Sequence, residues 1–108
     1  MLKSPHPALD LSFMRLKLNG AGIDYWTVEP SGSYTRDCEL GRSLAQEFLA
    51  YIGENPTNGN MTLLGCIALE MMEKQTPRGI VIGFMAEING YAMATARLLA
   101  SREPTEAA

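Results

Sequence analysis

The sequence predicts a mainly α-helical fold, a three-helix core preceded by a short N-terminal β-hairpin or extended segment. Three observations lead there. From Asp37 onward apolar residues recur at helical spacing; residues 14–18 alternate apolar and basic; and turn-forming clusters separate the segments at 19–22, 29–33 and 56–60. With 108 residues, 46% of them apolar, the chain is expected to form one domain with a real core.

Met14, Leu16 and Leu18 alternate with Arg15 and Lys17, and after Asn19-Gly20-Ala21-Gly22 comes Ile23-Asp24-Tyr25-Trp26-Thr27-Val28. Two such runs around a Gly-rich loop predict a β-hairpin. A helix from Ala8 to Leu18, stopped by Gly20, is the competing reading. Glu29 to Ser33 is a turn by composition.

The first helix is placed at 38–54, with Asp37 as N-cap and Glu39 complementing the helix dipole. Leu40, Leu44, Phe48, Tyr51 and Ile52 share its apolar face. Pro56 biases Asn55 away from helix, and Pro56 to Asn60 forms a loop. A second helix is placed at 61–75, with Leu64, Ile67, Ala68, Met71 and Met72 inward and Glu70 and Lys74 as an i,i+4 pair.

A third helix is placed at 77–100, opened by Thr76-Pro77. One face carries Ile80, Val81, Phe84, Ile88, Tyr91, Leu98 and Leu99; the other carries Gly79, Gly83, Ala86, Gly90 and Ala94, flanked by Ile82 and Met93. A helix apolar nearly all round is buried on both sides. Interior glycines cost up to about 1 kcal/mol each relative to alanine, so their stripe implies close approach of another backbone. A C-terminal hairpin turning at Asn89-Gly90 is the alternative, giving an α+β fold; the alanine-rich 91–100 run opposes it. Residues 101–108 are expected to be a frayed tail.

Composition narrows the function. Nine Lys+Arg against 12 Asp+Glu is the wrong balance for a general nucleic-acid binder. A helix-turn-helix nucleic-acid regulator is a third reading, ranked below the two that follow because the would-be recognition helix offers only Arg78 early on, followed by aliphatic residues and glycines. Glu87, Asn89 and Arg97 interrupt the most apolar stretch, arguing against a membrane span. The N-terminal residues have no apolar leader run, so the chain is expected in the cytoplasm with Cys38 and Cys66 reduced. Two cysteines and His6 do not suffice for a zinc site, and no phosphate loop or cofactor motif occurs; no catalytic, metal or cofactor residue is assigned.

Two functional expectations follow. The first is an accessory or binding module that pairs with itself through Gly79, Gly83, Ala86, Gly90, Ala94, Ile82 and Met93; another protein is a second kind of partner. The second is a small ligand-binding protein or enzyme whose pocket joins Glu87, partnered by Arg97, to the aromatic pair Tyr25 and Trp26. A buried acid on an apolar helix calls for such a partner.

Overall fold

The computed structural model describes the backbone of residues 7–18, 20 and 22–107, with side chains through Arg102; His6 lies outside the described residues. A 3-10 turn over Pro7–Asp10 leads to strands β1 (Arg15–Leu16) and β2 (Ile23–Asp24), then α1 (Tyr34–Glu54), a 3-10 turn over Asn58–Asn60, α2 (Leu63–Glu73) and α3 (Arg78–Ala107). The fold is therefore mainly α with a small hairpin, as the patterning predicts. The strands pair antiparallel, Arg15 with Asp24 and Leu16 with Ile23. Gly20 and Gly22 both take positive φ in the connecting loop, the conformation that glycine adopts without steric cost. No helix replaces the hairpin over 8–18, and no second hairpin forms at Asn89-Gly90, where α3 continues unbroken.

Several boundaries move. α1 begins four residues earlier than its predicted start, because Ser33, not Asp37, is the N-cap: its hydroxyl accepts from the Arg36 N–H. Asp37 instead sits in the first turn, 4% exposed, and accepts from the Ser31 N–H at 2.8 Å. α2 is shorter at both ends, since Asn58–Asn60 forms its own turn and Lys74 closes the helix. Thr76 N–H donates to Met71 and Gln75 N–H to Met72, the paired bonds of a Schellman cap with Gln75 at φ 53° where glycine is usual. The predicted frayed tail is helical through Ala107. Alanine, leucine and arginine, which dominate its approach, are strong helix formers.

The core gathers Ala8, Leu11, Phe13, Met14 and Trp26 from the N-terminal segment with Leu44, Ala45, Phe48, Ile67, Met71, Ile80 and Phe84 from the helices. Trp26 is its hub, with ring centres 5.0 Å from Phe13 and 5.4 Å from Phe84. Its indole N–H has no hydrogen-bond partner among the described residues. Lys74 ties the hairpin to the end of α2, donating to Asp24 at 3.1 Å and to the Trp26 carbonyl. Among the described residues, no helix is long and apolar enough to cross a membrane.

α1 and α3 form the main helix pair. Close contacts join Gly79 to Tyr34, Gly83 to Cys38 and Gln46 to Glu87, so residue numbers rise together and the helices run in the same direction. Glycine appears on both sides: a β-carbon on Gly41 would lie 2.2 Å from the Ile80 carbonyl oxygen, and one on Gly83 2.1 Å from that of Cys38. The two backbones touch there, and then they part.

Candidate functional site: the free half of α3

The sequence expectation placed seven residues of α3 in one interface, and the structure divides them. Gly79 and Gly83 are buried against α1 of the same chain. This part of the stripe is not open to a second copy. The correction has a simple cause: α1 carries its own glycine, Gly41, so two smooth surfaces meet within one chain.

The other five residues face outward. Ala86, Gly90 and Ala94 are exposed, as are Ile82 and Met93, and no atom lies within 4 Å of a β-carbon built on Gly90. From Asn89 to Arg102 every residue of α3 is exposed. Yet the stretch is not polar. Tyr91 is 56% exposed, Met93 59%, Leu98 65% and Leu99 53%. Tyr91 and Leu98 continue the face whose earlier members, Ile80 and Phe84, are fully buried. The ridge that builds the core thus runs on past the end of the domain body. The radius of gyration, 16.4 Å, exceeds the roughly 13 Å of a compact chain this size, as a projecting helix requires.

The expected Glu87 pocket does not assemble. Glu87 is half-buried and accepts from the Gln46 amide at 3.2 Å; Arg97 lies ten residues along the helix, about 15 Å away by helical rise. Trp26 contributes to a cleft of about 510 Å³ with Arg15, Asp24, Lys74 and Gln75, and Tyr25 to a small cavity beside Cys66 and Leu63. Neither includes Glu87. The aromatic pair divides instead: Trp26 packs inward onto Phe84, and Tyr25 stays half-buried beside α2. Tyr25 N–H donates to Glu70 at 3.1 Å. Burial, followed by the nearby Cys66 thiol and Glu70 carboxylate, raises the Tyr25 phenol above its ordinary value.

Glu70, expected as the i,i+4 partner of Lys74, lies 3.5 Å from its ammonium and also accepts from the Tyr25 N–H. Its role depends on a hairpin 45 residues away in sequence, a distance that local pattern does not span. Among the described residues, no group of three or more His, Cys, Asp or Glu is placed to hold a metal ion. No family model, curated protein or solved structure matches this chain.

Proposed function

We propose that the protein is a self-association module, a small helical domain that pairs with a second copy through the outward side and projecting half of α3. The observation that supports this is the exposure of Tyr91, Met93, Leu98 and Leu99 on a helix that leaves the domain body. A helical stretch this short has little stability of its own in water and normally draws it from packing. Burying such a side chain fully stabilises by roughly 1.5–3 kcal/mol, and about half of each surface is still available. Contributions from two copies then offset an association cost of about 4–15 kcal/mol, which points to a reversible complex.

Sedimentation velocity across the micromolar range tests the reading. The expected result is a concentration-dependent rise toward twice the chain mass. Met93→Glu or Leu98→Glu should abolish the rise while leaving the helical circular dichroism intact, since both side chains are solvent-facing in the single chain. A chain that stays monomeric throughout overturns the proposal.

A further inference from the structure

Glycine follows asparagine at three places, Asn19-Gly20, Asn58-Gly59 and Asn89-Gly90. The dipeptide is a turn former and also a chemically labile pair. The backbone nitrogen after an asparagine is a nucleophile within reach of the side-chain amide carbon, and glycine has no β-carbon to obstruct its approach. Asn19 lies outside the described residues. The fold treats the other two pairs in opposite ways.

Asn58 and Gly59 are both exposed, in the 3-10 turn between α1 and α2. The Asn58 side-chain amide and the Gly59 N–H have no hydrogen-bond partner among the described residues. A β-carbon on Gly59 would meet only the Thr57 hydroxyl oxygen, at 4.0 Å. Two backbone bonds close the turn: Asn60 N–H donates to the Thr57 carbonyl at 3.0 Å, and Met61 N–H to that of Asn58 at 3.1 Å. Asn89 and Gly90 stand instead within the 30 residues of α3. There the N–H of residue 90 is directed at the carbonyl of residue 86, and the Asn89 amide donates to the Met93 sulfur at 3.3 Å.

Helical dihedrals hold the nitrogen away from the amide carbon at both places, so reaction requires the backbone to open. The sites differ in what opening costs. At Asn58 it breaks a single turn with no buried residue, the kind of segment that opens at the low end of the local-unfolding scale. At Asn89 it interrupts a long cooperative helix.

We propose that Asn58 is a site of spontaneous deamidation, modified in the folded chain while Asn89 is protected. The Gly59 nitrogen bonds to Cγ of Asn58 and gives up its proton. The Cγ–Nδ2 bond breaks, and that nitrogen leaves as ammonia, closing a succinimide ring. Water then opens the ring at one carbonyl or the other, giving aspartate, or isoaspartate in which the main chain runs through Cγ. Either product sets a negative charge at the rim of an apolar cavity of about 440 Å³ lined by Phe48, Leu49, Ile52, Leu64 and Ile88. Isoaspartate also lengthens the main chain by a carbon inside the turn that Asn60 and Met61 close. The proposal concerns the single chain and stands apart from self-association.

The test incubates the purified chain at mildly alkaline pH, native and in urea, at one temperature. Fragmentation mass spectrometry of proteolytic peptides then follows the amide-to-acid mass gain site by site. In the native chain Asn58 should convert at least about tenfold faster than Asn89, and in urea the two rates should converge. Gly59→Ala, for which there is room, should slow conversion of Asn58 at least about tenfold with the helical circular dichroism unchanged. The proposal is overturned if native Asn58 keeps its amide while the urea-unfolded chain loses it, if native Asn89 keeps pace with Asn58, or if Gly59→Ala leaves the rate unaltered.

Discussion

A β-carbon on Gly83 would stand 2.1 Å from the carbonyl oxygen of Cys38, so α3 meets α1 backbone to backbone at that point. The contact cannot yield cheaply, because the carbonyl oxygen belongs to helical main chain and the β-carbon is fixed directly to another. The four-residue spacing of Gly79 and Gly83 is used within the chain, against Tyr34 and Cys38 of α1.

Gly83→Ala is expected to lower stability by about 1–3 kcal/mol, since overpacking forces the helices apart. The helix-propensity gain of alanine, up to about 1 kcal/mol, works against this and is the smaller effect. Gly90→Ala should do the opposite and raise stability by up to about 1 kcal/mol, because open space surrounds that position. Urea midpoints of the two variants, measured side by side, check the contrast.

Gln75 closes α2 at φ 53°, a conformation that costs an L-residue roughly 1–2 kcal/mol. Gln75→Gly removes that strain and adds some freedom to the unfolded chain, a partial offset. The expected net gain is roughly 0.5–1 kcal/mol, read as an upward shift in thermal midpoint. No gain would mean that the Schellman bonds bear no strain.

The start of α1 depends on two oxygens. Ser33→Ala removes the cap on the Arg36 N–H and should cost about 1 kcal/mol. Asp37→Ala strips the acceptor from the Ser31 N–H in a buried setting, with an expected cost of about 1–3 kcal/mol. Equilibrium denaturation of both variants gives the order, Asp37 above Ser33.

Tyr25 makes the fold sensitive to alkali. Its phenol titrates higher in the folded chain than in the unfolded one, chiefly through burial. The stabilising contribution is complete below the unfolded value near 10 and is lost as pH rises through the folded value. Tyr25→Phe should therefore flatten the fall in stability above about pH 10 and leave the profile at neutral pH almost level. Denaturation midpoints of both chains across that range decide it.

The helices were legible because each carries its own period and its own stops: Leu40 to Ile52 on one face of α1, Pro56 beyond it, Pro77 opening α3. Trp26 and Phe84 were legible as apolar, but their meeting was not. The cap at Ser33 was missed because Asp37 is also a good cap, and only the Ser31 N–H, folded back onto it, draws Asp37 into the helix. Glu87 looked like an acid in search of a cation, and found an amide on α1.

Local covalent preference and periodicity are properties of neighbouring residues, so the sequence by itself determined that this chain builds three helices, a small hairpin, and a last helix greasy on two sides. Which side α1 covers depends on where Gly41 meets Ile80 and Phe84 and where Gly79 and Gly83 meet Tyr34 and Cys38, a coincidence of surfaces about 40 residues apart. Only the tertiary structure decided that. Packing buried the glycines and left the tyrosine, methionine and leucines beyond them in solvent.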